Sequence, residues 1–415
     1  MILRRDSIDP ALREYREVVA ACALGTLLML CALCCSAQVA TQANNLSLLK
    51  DAAQLISAGN LDRAENELQS ILNADPHEYR ALNFMGIVRA QQGRNAAAEK
   101  LFKQVIQQNP NFASAHVNLG LLYVQMSRSA DAIPEFQEAL RIDPTRTDAL
   151  NSLLAALRNE SQIALQNNDG EKALSFMMQA RQASPNDPEV LYEFGMAALR
   201  MSLFPDAIQA FQSVLKVRKE DAKAIYALGR AQMGLAKYQD ARDTFAHYVQ
   251  LNSGDASGHY ALALTLASLQ QFPEAKTEFE RSIQLKPVQT ESYFQLGRLE
   301  LNAGDLGAAG MHFIYVLQRD PHHAGALTGM GRIEFEKKNY DEAAKLLERA
   351  VTVEPSLREA HYYLGLSYAR LGRKEDSAAQ LKITNQLDQE EVKAHNADVE
   401  IINSGEDSST GADKH

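Results

Sequence analysis

Histidine is the first side chain to examine for chemistry in this chain, and it occurs in two arrangements. His322 and His323 are adjacent, directly after Pro321. Neighbouring residues on a turn rarely converge on one metal, so a solvated turn is the expectation there. His116, His259 and His361 occupy one equivalent place in a repeated pattern, where a ring is expected to fill a gap between helices rather than to ligate. The four cysteines, Cys22, Cys31, Cys34 and Cys35, all lie near the start, so nothing after residue 35 can form a disulfide or a thiolate metal site. There is no phosphate-cradling glycine loop, no His-Glu-x-x-His helix and no serine nucleophile elbow. Asp341, Glu342, Glu375 and Asp376 fall near helix starts, where carboxylates favour the helix dipole and need no catalytic role. The expectation is a protein with no catalytic residues, no cofactor site and no metal site.

A second set of residues suits recognition better than catalysis. Tyr192, Tyr226, Tyr260 and Phe294 are spaced by 34 residues, and Arg230, Arg298 and Arg332 stand four residues after positions of that series. Aromatic rings bury area at low entropy cost, and guanidinium groups make forked hydrogen bonds to carboxylates or backbone. Such a strip fits an extended peptide or an acidic segment. The competing reading is that the rings pack on their own repeats.

The elements that must position these residues are written most plainly at 79–146. The segments 79–112 and 113–146 are each 34 residues long, and numbering each from 1 aligns Leu82 with His116 at place 4, Gly86 with Gly120 at 8, Ala98 with Ala132 at 20, Phe102 with Phe136 at 24 and Pro110 with Pro144 at 32. Apolar places recur at helical spacing in each half, which predicts two amphipathic helices per segment. Glycine at 8 and alanine at 20 let the two axes approach, leaving the bulkier residues at 24 and 27 for the next unit. Proline at 32 stops the second helix, because it lacks an N–H and disfavours helical geometry in the residue before it.

The period extends over most of the 415 residues. Units fall at 45–78, 79–112 and 113–146, then at 188–221, 222–255, 256–289, 290–323, 324–357 and 358–391. Between them the unit 147–187 carries seven extra residues, placed in a first helix about two turns longer than the rest, so that the apolar face keeps its direction. Ala52 and Leu154 replace the glycine at place 8 in the first and fourth units, where looser packing is expected. Ser377, Thr384 and Gln389 mark the last unit as a fading terminal cap. With 46% apolar residues, 12 Pro and no Trp, the composition fits a helix-rich chain whose breakers sit at turns.

The length of the unit and its order of small, aromatic and proline places resemble the tetratricopeptide repeat family over about residues 45–391. The resemblance implies an all-α fold, a tetratricopeptide-type α-solenoid in which antiparallel helix pairs wind as a right-handed superhelix. It also implies that first helices line a concave groove, into which Tyr192, Tyr226, Tyr260, Phe294, Arg230, Arg298 and Arg332 would point. The family's carboxylate clamp, Lys at place 5 with Asn at place 9, is absent.

The two ends read differently. Residues 18–35 are free of charge, follow Arg4, Arg5, Arg13 and Arg16, and precede Ser-Ala-Gln-Val-Ala. Residues 1–37 are therefore expected to be an export signal cut after Ala37 or an uncleaved membrane anchor, with the repeats outside the cytoplasm, in the periplasm or cell envelope. The segment 392–415 reads as an acidic disordered tail. From Leu387 onward, eight acids against Lys393 and Lys414 give −6 of the total −10; four Arg balance four acids in 1–37, and −4 remains for the repeats. That balance disfavours nucleic acid as a partner. The functional expectation is a non-catalytic scaffold binding a protein or peptide along the groove. The alternative is a membrane-tethered assembly or polysaccharide-export module of an envelope complex.

Overall fold

A computed structural model describes residues 44–390. The signal or anchor expected at 1–37 and the tail expected at 392–415 lie outside the described residues. No helix among the described residues is long and apolar enough to cross a membrane.

The described residues form twenty helices and no strand. The chain divides into two compact units at Val190 and Leu191. The first holds α1 (44–57), α2 (Leu61–Ala74), α3 (Tyr79–Gln91), α4 (Asn95–Gln108), α5 (Ala113–Gln125), α6 (Ser129–Ile142), α7 (Thr147–Gln166) and α8 (Gly170–Ala183). Helix α9 (Pro188–Arg200) crosses the division. The second unit continues with α10 (Phe204–Val217), α11 (Ala222–Gly234), α12 (Tyr238–Leu251), α13 (Ala256–Ser268), α14 (Phe272–Leu285), α15 (Thr290–Asn302), α16 (Leu306–Arg319), α17 (Ala324–Glu336), α18 (Tyr340–Val353), α19 (Arg358–Arg370) and α20 (374–390). Within each unit, consecutive helices pack as antiparallel pairs. Helix α7 has 20 residues, whereas α3, α5, α11, α13, α15, α17 and α19 have 13 each.

Local chemistry sets the ends of these helices. The residue before each proline at place 32 leaves helical geometry, as at Asp143 (φ −136°, ψ 93°) before Pro144 and Glu354 (φ −132°, ψ 89°) before Pro355. Asp143 then accepts the Thr145 N–H at 3.1 Å, and Asp320 accepts the His322 N–H at 3.0 Å, which tightens the turn. Side chains cap several following helices, with Asp221 accepting from the Ala224 N–H at 3.1 Å and Glu78 from the Ala81 N–H at 2.7 Å. Pro205 and Pro273 lie in the first turns of α10 and α14, where a missing N–H costs little.

The turn inside each helix pair has a feature that the sequence does not announce. Ten described residues adopt positive φ, one in each such turn, and only Gly59, Gly93, Gly304 and Gly372 are glycines. Ser127, Asn168, Ser202, Ala236, Gln270 and Lys338 hold the same left-handed conformation at φ between 56° and 66°.

The core is built from one recurrent contact. Ala64, Ala98, Ala132, Ala173, Ala207, Ala241, Ala275, Ala309 and Ala343 are all fully buried where the paired helices cross. Beside them, Phe102 lies against Gly86, Phe136 against Gly120, Phe211 against Gly195 and Phe245 against Gly229. The ring at place 24 therefore packs on the first helix of its own unit, not only on the next one as the spacing suggested. Phe313 does both, meeting Gly297 of its own unit and Gly329 of the following one.

The looser packing expected at Ala52 and Leu154 is absent: they are 0% and 5% exposed. The partner residue has changed size instead. Leu68 stands opposite Ala52 where six other units have phenylalanine opposite a small residue, so that pair roughly keeps its volume, while Met177, 3% exposed, supplies a flexible side chain in the unit of Leu154.

Candidate binding face

Within the second unit the first helix α11 touches α13, and α15, α17 and α19 touch in succession, with a cavity between α13 and α15. Tyr226, Tyr260 and Phe294 of the recurrent strip are half-buried on α11, α13 and α15, and Tyr192 is half-buried on α9. Each leans on the phenylalanine of its own second helix: Tyr192 on Phe211 with ring centres 5.8 Å apart, Tyr226 on Phe245 at 5.6 Å, Tyr260 on Phe279 at 6.0 Å and Phe294 on Phe313 at 6.2 Å. Tyr226 also meets Tyr248 at 5.2 Å. Burial pushes the phenols of Tyr226 and Tyr260 above the ordinary tyrosine range. These rings form a ladder that is continuous with the core.

The arginines differ among themselves. Arg230 is exposed and has no carboxylate partner among the described residues. Arg298 is exposed, donates to Gln295 Oε1 at 3.2 Å, and has its guanidinium 5.7 Å from the Phe294 ring centre. Arg332 is half-buried and engaged, donating to Asn302 Oδ1 at 2.9 Å and to Glu359 Oε1 at 3.3 Å, and its buried Nε–H has no acceptor among the described residues.

Phe294, Arg298 and Arg332 come together around one cavity of about 550 Å³ between α15, α17 and α19. Tyr192, Tyr226, Tyr260 and Arg230 do not line it. The cavity exists because the ladder stops. Thr328, 3% exposed, stands where the three preceding repeats carry Tyr226, Tyr260 and Phe294, and its hydroxyl turns back to Ala324 O at 2.9 Å. Gly325 contributes as well: a Cβ there would come within 2.5 Å of Phe294 Cζ, so its absence lets that ring lie over the start of α17. Across α15 is a second cavity of about 430 Å³ lined by Leu264, Ala267, Phe272 and Leu299. Arg298 and Asn302, one helical turn apart on α15, line both cavities.

Sequence reasoning missed Asn302, Gly325 and Arg358 in this region. The detectable signal was the loss of bulk at two places of one unit, Gly325 and Thr328.

Four histidines make contacts that tie helices and turns together. His323 caps α17, its Nδ1 accepting the Ala326 N–H at 3.1 Å, and its ring lies 4.6 Å from that of Phe294. His116, His259 and His361 are 6%, 8% and 5% exposed. Each bridges three segments, as His116 does with Nδ1 2.7 Å from Glu135 Oε2 and Nε2 3.2 Å from Pro110 O.

The sequence profile of the tetratricopeptide repeat family matches residues 54–111, 85–147, 192–256 and 260–324, and a second profile described as a TPR repeat matches 331–372. This chain belongs to the tetratricopeptide repeat family. The repeat protein is similar to solved structures of MamA (41-end) from Desulfovibrio magneticus RS-1 (25% identity, 41% of this chain and 96% of that one, TM-score 0.39) and of YrrB, a TPR protein with an unusual peptide-binding site (24%, 44% and 95%, 0.38). It is also similar to yeast Tom70 (12%, 83% and 85%, 0.41). No curated protein sequence matches it.

Proposed function

We propose that this tetratricopeptide protein is a non-catalytic scaffold that binds a protein or peptide along the first-helix face of residues 191–390. Membership of the family supports the scaffold role, since tetratricopeptide proteins bind protein or peptide partners. The observation that carries the choice of face is the exposed guanidinium of Arg298 standing between two adjoining cavities. The recurrent tyrosines stiffen that face, and the exposed arginines make the contacts. We also infer ten repeats over about 45–391, with a lengthened one at 147–187, a count that twenty described helices and the 20-residue α7 support. The charge-free run at 18–35 supports export of the repeats from the cytoplasm, by a cleaved signal or a retained anchor.

The test is selection of binders from a random peptide library on the full chain, followed by fluorescence anisotropy. Arg298→Glu is expected to weaken the selected peptides at least about tenfold with helical circular dichroism unchanged. Equal binding by Arg298→Glu and the unaltered chain, or no selected peptide at all, would contradict the proposal. Tyr226→Ala is a poorer probe, because that ring supports Phe245 and Tyr248.

A further inference from the structure

Arg298 and Asn302 are the two polar side chains on the ridge between an apolar cavity and a polar one. Their hydrogen-bonding capacity can be counted. Arg298 has five N–H donors and spends one on Gln295, with no carboxylate partner among the described residues. Asn302 receives Arg332 Nη1 at 2.9 Å on its Oδ1, and an arginine only donates, so the amide orientation is fixed with Nδ2 on the other side. That NH2 meets no acceptor among the described residues. One turn of α15 thus presents unused guanidinium donors and an unused amide donor over both cavities.

The remaining charges around the polar cavity are accounted for. Arg332 holds Glu359 at 3.3 Å, and Arg358 is paired with Asp388 at 3.3 Å, while Glu354 is exposed at the rim. With Asp388 counted beside the Arg358 it pairs, three guanidiniums stand against three carboxylates, and Arg298 is the guanidinium with no carboxylate partner among the described residues. Beside it, Leu264, Ala267 and Leu299 line the smaller cavity with the half-exposed ring of Phe272. That volume is ample for one branched aliphatic or aromatic side chain.

Resting on the peptide-binding reading above, we infer that this ridge is a subsite for an extended peptide in which a carboxylate residue neighbours a large apolar one. The carboxylate lies in the polar cavity and takes a forked hydrogen bond from Arg298. Asn302 Nδ2 donates to a backbone carbonyl of the peptide, and the apolar side chain enters the smaller cavity. Charge selects the register and the apolar side chain contributes the buried area. A neutral peptide of the same shape would leave the guanidinium unpaired on desolvation, and an acidic peptide with no apolar residue would leave the smaller cavity unfilled.

The test uses the full chain and two fluorescein-labelled peptides, one carrying two glutamates flanking a leucine in a glycine-serine background, the other with both glutamates replaced by glutamine. The acidic peptide is expected to bind at least about tenfold more tightly, with affinity falling as salt rises. Arg298→Gln should abolish that preference. Ser268→Trp, an exposed position lining the apolar cavity, should weaken both peptides by blocking the leucine pocket. Both variants should retain the circular dichroism of the unaltered chain. Equal binding of the two peptides, or an unchanged preference in Arg298→Gln, overturns this subsite while leaving the wider proposal standing if library-selected peptides still respond to Arg298→Glu. Failure to select any library peptide overturns both.

Discussion

Phe102 lies so close over Gly86 that a Cβ on that glycine would approach its Cε1 to 2.5 Å. The same relation holds between Gly120 and Phe136, where the approach would be 2.6 Å. Close packing leaves no room to absorb even one methyl group without moving the ring.

Gly86→Ala should therefore destabilise the first unit by about 1–3 kcal/mol, despite alanine's better helix propensity. Combining it with Phe102→Leu should recover part of that loss, because Ala52 already pairs with Leu68 in the first repeat. Urea unfolding of the two single variants and the double variant measures the coupling. Strict additivity would show that the contact does not constrain the helix pair.

His116 predicts a pH effect of definite sign. Both ring nitrogens face acceptors, Glu135 and the Pro110 carbonyl, with Glu138 also nearby, and the Glu135 hydrogen bond raises the histidine pKa against the opposing effect of burial. A raised folded-state pKa means that the stability it contributes is complete below the unfolded value of about 6.5 and is lost as pH rises through the folded value. Thermal melts from about pH 6 to pH 9 should thus fall more steeply for the unaltered chain than for His116→Gln. Parallel curves would contradict the ion-pair reading.

At Ala236, φ is 56° without a glycine to relieve the crowding. Ala236→Val, β-branched in a left-handed turn, should cost about 1–2 kcal/mol. Ala236→Gly should leave stability unchanged or slightly improved, since relief of strain offsets the added chain entropy. The order of the two melting temperatures is the readout.

Tyr226 separates packing from recognition. Its truncation to alanine should cost about 3 kcal/mol by removing support from Phe245 and Tyr248. Tyr226→Phe should stay within about 0.5 kcal/mol. Differential scanning calorimetry of both variants tests whether the ring is a structural member of the ladder.

The period made the helix pairs legible from the sequence, because small, aromatic and proline places recur for reasons that act within one repeat. Gly86, Ala98 and Pro110 each have a local physical role. What the period could not reveal depended on departures from it. The left-handed turns at Ser127, Ala236 and Lys338 were hidden because the strain there is tolerated rather than avoided by glycine. The arginine strip was legible as a spacing, yet Arg332 is engaged by Asn302 and Glu359 while Arg298 has no carboxylate partner among the described residues, and that distinction depends on neighbours 27 and 30 residues away. The cavity itself arises where Thr328 and Gly325 interrupt the ladder, a negative feature that a search for recurring bulk passes over.

The central claim is that the first-helix face of residues 191–390 is the binding surface. Hydrogen–deuterium exchange of the full chain with a saturating library-selected peptide tests it directly. Protection should concentrate in α13, α15 and α17, around Arg298 and Asn302. Protection confined to α14, α16 and α18, or to residues 44–190, would contradict the account.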